Sequence, residues 1–213
     1  MMTSTTMVFV IDDDASMRKS LRRLLDAAQY ETELFKSASE FLSRSVHPGP
    51  SCVIVDVQMP GLNGIDFQKA LIEHGREEQL VFITGHGDIP MCAEVMKAGA
   101  VDFLPKPFKR DQLLGSVERA LARSAEQRWR ASEKKQARAL LERLTPREYQ
   151  VMQLVATGML NKQVGGELGM AEKTVKTHRA NVMQKLRITS VAELMRVLQK
   201  AEVLPIVRPG TKV

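Results

Sequence analysis

A chain of 213 residues suits one large domain, or a domain of about 120 residues joined to a smaller one. Its 44% hydrophobic and 26% charged residues are those of a globular protein, and no apolar run nears the roughly 18 residues of a membrane span, so no membrane association is expected. The net charge of +6 is uneven: residues 1–108 carry 10 Lys+Arg against 15 Asp+Glu, residues 109–143 carry 10 against 5, and residues 144–213 carry 11 against 5. An acidic first half joined to a basic second half predicts separate jobs, with a polyanion as partner of the second.

The N-terminal MMTSTTMVFV has no basic stretch followed by a long apolar run, so no signal peptide is expected. From there the chain alternates. The runs 7–11 (MVFVI), 32–35 (TELF), 52–55 (CVIV), 80–83 (LVFI) and 101–104 (VDFL) read as buried strands, with helical stretches at 15–28, 64–74 and 91–98 between them. This alternation predicts a doubly wound α/β domain with a five-stranded parallel sheet. No Gly-x-Gly-x-x-Gly follows the first strand, which argues against dinucleotide binding. Cys52 and Cys92 are solitary and are expected to be reduced thiols.

Residues 110–143 read as one long charged helix. Leu114, Val117 and Leu121 begin a heptad seam that Ser124, Arg128 and Lys135 interrupt, so a solvated helical spacer is expected rather than a coiled coil. Thr145-Pro146 supplies an N-cap and a first-turn proline, and helices are predicted at 146–157, 161–168, 172–187 and 190–202. The tail 203–213 is expected to fray. The predicted organisation is thus 1–124 for the α/β domain, 125–143 for a helical linker and 144–213 for a small all-α domain.

Asp12, Asp13 and Asp14 follow the first strand, Asp56 the third, Thr84 the fourth and Lys106 the fifth. In open parallel sheets the functional crevice lies at the carboxyl ends of the strands, and a strand order of 2-1-3-4-5 would bring these residues together. Clustered carboxylates repel one another, and an oxygen-only site suits Mg²⁺ or Mn²⁺. One carboxylate can act as nucleophile toward a phosphoryl group, with Lys106 and the metal stabilising the transferring oxygens and the Thr84 hydroxyl donating to them. No Walker-type loop is present, so the phosphoryl donor is not expected to be a bound nucleotide. Asp14 is assigned as the cap of the first helix.

The motifs IDDD, VDVQMPGLNG, ITGHGD and LPKPF match, in order and spacing, those of the receiver domain of response regulators, and the chain closely resembles that family over about 110 residues. The resemblance implies a flavodoxin-like fold and a phosphoacceptor at Asp56, loaded by a histidine kinase. It implies metal ligands at Asp12, Asp13, Asp56 and the Gln58 main-chain carbonyl. It further implies switch residues at Thr84 and Phe103, the motif lysine at Lys106, and flanking residues Gln58 and His86 that tune the lifetime of the phosphoryl group.

Residues 144–198 resemble the LuxR-type helix-turn-helix, carried by the NK-x5-L-x5-TVK-x-H spacing, and both halves together resemble response regulators of the FixJ/NarL class. Val175, His178, Val182 and Leu186 recur at spacings of three and four and would face the domain core. Lys173, Lys176, Thr177, Ala180, Asn181 and Gln184 then point outward. Lys176 and Thr177 are expected near base edges of double-stranded DNA, and Lys173, Thr174, Arg179 and Lys185 near phosphates. Two departures stand out: Met170-Ala171 lacks the Ser or Thr cap common in the family, and Gly165-Gly166 lie within the preceding helix at a cost in helix propensity. The reading implied by the resemblance is a cytoplasmic transcription factor, not an enzyme, whose phosphorylation on Asp56 controls homodimerisation and DNA binding, with RNA polymerase as a further candidate partner. Two other readings fit parts of the pattern: a phosphatase using the Asp-x-Asp spacing within Asp12-Asp13-Asp14, and a DNA-binding protein whose receiver serves only for dimerisation.

Overall fold

The computed structural model describes residues 5–85 and 89–205. The chain forms two compact units, Met1–Arg128 and Trp129–Val213. The first contains strands β1 (Met7–Ile11), β2 (Glu31–Phe35), β3 (Ser51–Asp56), β4 (Gln79–Thr84) and β5 (Asp102–Pro105). Helices α1 (Ala15–Ala27), α2 (Ala38–Leu42), α3 (Gly64–Glu73) and α4 (Ile89–Lys97) connect them, and α5 (Arg110–Leu141) follows. All pairings are parallel, in the order β2-β1-β3-β4-β5.

The strand sequences explain this sheet. Every residue of β3 and β4 is buried, as continuous apolar runs covered on both faces require. Alternate side chains feed two cores. Phe9, Val53, Val55 and Phe82 pack with Phe41, Phe67, Leu71 and Val95 from α2, α3 and α4. Val8, Val10, Ile54, Val81 and Ile83 pack with Leu21 and Leu25 of α1 and with Leu113, Val117 and Leu121 of α5. Edge strand β2 instead alternates exposure, ending in buried Phe35. Both cysteines are free, and burial pushes the Cys52 thiol up, leaving it unreactive. Among the described residues no helix is long and apolar enough to cross a membrane.

Three findings differ from or add to the sequence reading. Helix α2 was not anticipated; five residues show no full period, and Ser37 caps it while the Glu40 carboxylate accepts from the Lys36 N–H. Secondly, Leu114, Val117 and Leu121, the start of the interrupted heptad seam, pack into the second core of the α/β unit. Thirdly, the stretch 125–143 is helical through Leu141 but not solvated throughout. Just before it, the Ser124 hydroxyl, buried, accepts from the Ser51 N–H at 3.0 Å. Arg128 donates to the Pro48 and His47 carbonyls at 2.9 and 2.8 Å. Ala137 and Leu141 belong to the core of the second unit.

That second unit adds α6 (Pro146–Ala156), α7 (Asn161–Leu168), α8 (Glu172–Leu186) and α9 (Val191–Ala201). Thr145 caps α6 in a reciprocal capping box with Glu148. Buried Val151, Met152, Val164, Val175, Val182, Leu186, Leu194 and Leu198 form its core. The two adjacent glycines of α7 have different roles. A Cβ at Gly165 would lie 2.6 Å from the Met170 carbonyl oxygen, whereas a Cβ at Gly166 would meet nothing within 4 Å. Gly165 thus lets the turn before α8 close on α7. Ala171 makes no side-chain cap to α8.

Two predictions follow from this unit. Gly165→Ala should lose about 1–3 kcal/mol of stability by overpacking, and Gly166→Ala should be neutral or gain up to about 1 kcal/mol from helix propensity; thermal unfolding of both variants distinguishes the sites. The Glu148 carboxyl is held below its ordinary value of 4.5, first by the hydrogen bond from Lys185, with burial opposing and the Thr145 N–H assisting. A depressed carboxylate contributes stability that is complete above the unfolded value and lost as pH falls through the folded one. Melting curves from pH 4.5 downward should therefore show a shallower acid loss for Glu148→Gln than for the wild-type chain.

Candidate functional site

The sheet places one polar residue after another at its carboxyl edge. Asp12 follows β1, Asp56 ends β3, Thr84 ends β4, and Lys106 follows β5. The parallel register sets Ile11 beside Val55, Asp56 beside Ile83 and Thr84 beside Pro105. The Lys106 N–H donates to the Thr84 carbonyl at 2.7 Å, so the lysine is fixed at this edge by its own main chain. The Lys106–Pro107 peptide is cis.

Asp12 and Asp56 are buried, Asp13 is exposed, and one oxygen from each lies within 4.8 Å of the others. Lys106 Nζ stands 2.5 Å from Asp56 Oδ2 and 3.2 Å from Asp12 Oδ2. The Gln58 N–H donates to Asp56 Oδ1 at 3.0 Å, and the Asp14 N–H to Asp12 Oδ1 at 2.8 Å. Burial raises the Asp12 pKa, with hydrogen bonds from Asp14 and Lys106 opposing it. Burial alone would lower that of Lys106, but the hydrogen bonds and charges of Asp56 and Asp12 together outweigh it and hold the ammonium above its ordinary value. One ammonium cannot neutralise three carboxylates. This all-oxygen donor set, open to solvent at Asp13, fits a hard divalent cation.

Beside the assigned cap Asp14, the residues Arg18, Asn63 and Gly64 support the site in ways the sequence did not reveal. Arg18, on α1, donates to the main-chain carbonyls of Asp12 at 2.7 Å and Asp13 at 3.0 Å, holding the acidic loop. Asp14 caps α1 through the Ser16 N–H, as assigned. Asn63 caps α3 by accepting from Ile65 and Asp66. At Gly64, a Cβ would lie 2.9 Å from both the Asp56 carbonyl oxygen and Val57 Cα, so the loop after the candidate nucleophile can fold back only over a glycine. The GLNG tetrad carried that signal without revealing the contact. Of the other expected site residues, Thr84 is buried, Phe103 is half-buried opposite Phe82, and the Gln58 side chain is exposed. His86 lies outside the described residues.

In the second unit α8 buries Val175, Val182 and Leu186, and His178 is half-buried. Lys173, Thr174, Lys176, Thr177, Ala180 and Gln184 are exposed; Asn181 is half-buried. Two residues expected at phosphates are engaged within the unit. Arg179 Nη1 donates to Asn161 Oδ1 at 3.1 Å, and Lys185 Nζ to Glu148 Oε2 at 2.6 Å. The exposed face thus offers two lysines and short polar groups, the chemistry of a helix that enters a major groove.

Comparison with known proteins agrees with both halves. Residues 8–118 match the response regulator receiver domain, and residues 142–198 match the bacterial regulatory proteins of the luxR family. The chain is 46% identical over 194 residues to nodulation protein W of Bradyrhizobium diazoefficiens, covering 91% of this chain and 86% of that protein. It is 39% identical over 203 residues to the transcriptional regulatory protein FixJ of the same organism, covering 95% and 99%. The solved structure of the response regulator StyR shares 46% identity with a TM-score of 0.83, covering 92% of this chain and 99% of that one. A parallel five-stranded sheet with an acidic edge, followed by a helical unit of LuxR type, therefore makes this chain a member of the response regulator transcription factors.

Proposed function

We propose that this regulator is switched by phosphorylation of Asp56 by a histidine kinase, and that the phosphorylated form dimerises and binds DNA through α8. The observation that carries this reading is the convergence of Asp12, Asp13 and Asp56 with the Lys106 ammonium 2.5 Å from Asp56. The Gln58 N–H holds one Asp56 oxygen, leaving the carboxylate oriented for attack on phosphorus as the donor's nitrogen–phosphorus bond breaks. Mg²⁺ or Mn²⁺ held by Asp12, Asp13, Asp56 and the Gln58 carbonyl would supply the positive charge that offsets the transferring oxygens. Lys106 exchanges its bond to Asp56 for one to the new phosphoryl group. Thr84 donates to the same group, and Phe103 moves with it. Gln58 and His86 flank the site and tune hydrolysis.

The proposed functional division is 1–124 for the receiver, 125–143 for the linker and 144–213 for DNA binding, in a cytoplasmic protein. Lys176 and Thr177 read base edges, with Lys173 and Thr174 on phosphates and Ala180 and Asn181 on the same face. Arg179 and Lys185 begin from bonds within the unit. Paired half-sites fit a dimer, and effective concentration turns two weak contacts into one tight one. RNA polymerase is the proposed downstream partner.

Incubation with a small acyl-phosphate donor and Mg²⁺ should add one phosphate to the wild-type chain and none to Asp56→Asn, read by intact mass. Light scattering should show the labelled wild type moving toward a dimer. Normal labelling of Asp56→Asn would refute the assignment of the phosphoacceptor.

A further inference from the structure

Oxygen Oε2 of Glu148 stands at a junction within the second unit. It accepts the N–H of Thr145, the residue at which the chain turns into α6, at 2.8 Å. The same atom accepts Lys185 Nζ, from the C-terminal turn of α8, at 2.6 Å. The Glu148 side chain is 5% exposed and that of Lys185 is 36% exposed. The pair therefore sits at the edge of the core, where an ion pair is screened less than on the surface. Asn161, at the start of α7, makes a second polar tie, to Arg179 in the middle of α8. Both ties use basic groups that composition would otherwise assign to DNA phosphates.

We propose that Glu148 is a positioning residue for DNA reading, and that Lys185 is its latch on the recognition helix rather than a phosphate contact. This inference rests on the assignment of α8 as the DNA-reading helix. Apolar contacts of Val175, Val182 and Leu186 fix which face of α8 is buried, but they tolerate sliding and rocking, because dispersion contacts are non-directional. A charge-assisted bond near one end is directional and sets the helix's angle on α6. The lysines at the other end, Lys173 and Lys176, are exposed and so depend on that angle for their reach. Since Thr145 shares the same oxygen, the start of α6 and the end of α8 are held by one atom. A shift in the chain at Leu144–Thr145 is thereby felt at the recognition helix.

The phosphate contacts of a DNA-binding protein appear in the slope of log affinity against log salt, at about 0.9 per contact. The full-length chain is used, phosphorylated with an acyl-phosphate donor, to enrich duplexes from a randomised double-stranded DNA library. Affinity for the enriched duplex is then measured across salt concentrations for the wild type, Lys173→Gln, Lys185→Gln, Glu148→Gln and the Glu148→Gln/Lys185→Gln double variant. Thermal unfolding of each variant confirms that it is folded at the assay temperature. Lys173→Gln should reduce the slope by about 0.9. Lys185→Gln and Glu148→Gln should each lower affinity roughly tenfold with the slope unchanged, and the double variant should lose little more than either single one, as coupled partners do. Glutamine keeps an acceptor for the Thr145 N–H, so the cap of α6 is retained; should Glu148→Gln still fail to fold, Lys185→Gln carries the test. A slope reduced by Lys185→Gln as much as by Lys173→Gln would make Lys185 a phosphate contact and overturn the inference, as would wild-type affinity in both variants. If the wild-type chain enriches no sequence, the DNA-reading assignment falls and takes this inference with it.

Discussion

Three carboxylates held within 4.8 Å of one another repel, and two of them are buried. The architecture of the first unit is largely a means of holding them there. Parallel pairing in the order β2-β1-β3-β4-β5 puts the ends of β1 and β3 side by side, and the continuous apolar runs of β3 and β4 bury that edge from both faces. Lys106 is brought to the same place from β5 by its main-chain bond to Thr84 and supplies one compensating charge. Carboxylates so crowded and only partly neutralised attract a cation, and the phosphoacceptor chemistry proposed for Asp56 relies on that cation and Lys106 to offset the negative charge of the incoming phosphoryl group.

The second unit solves a different problem with the same means. A small helical domain must present one helix to a polyanion while keeping its other face packed. Val175, Val182 and Leu186 hold the packed face. Gly165 permits the close turn before α8, and the Glu148–Lys185 bond fixes its far end. The basic groups of this helix differ in burial and partner: Lys173 and Lys176 are exposed, with Lys176 3.3 Å from Glu172 of the same helix, whereas Arg179 and Lys185 are half-buried and bonded to Asn161 and Glu148.

Much of this was legible in the sequence because it is encoded in short-range patterns. The five strands were read as runs of four or five residues whose ends the structure reproduces to within one residue, and the four helices after Thr145 were marked by Thr145-Pro146 and the spacing of their apolar residues. The acidic crevice was legible because every member follows a strand. What stayed hidden depends on partners far apart in the chain. Nothing near Lys185 announces Glu148, 37 positions away, and nothing near Arg179 announces Asn161. The Leu114–Val117–Leu121 seam was ambiguous for a related reason, since a helix facing a sheet and a helix facing another helix use the same spacing. Gly64 was visible as part of a motif, but the Asp56 carbonyl that excludes a side chain there was not.

Arg18 has a consequence of its own. It is a cation beside an acidic cluster, yet both of its bonds go to the main-chain carbonyls of Asp12 and Asp13. Tethered to the backbone, the guanidinium stiffens the loop without acting as a permanent counter-ion to the carboxylates. A substitution that redirected an arginine onto those oxygens would fill the crevice with fixed positive charge and turn an exchangeable site into a static one. The difference between a responsive receiver and an inert scaffold of the same fold can thus lie in which oxygens one arginine chooses, with every acidic residue left in place.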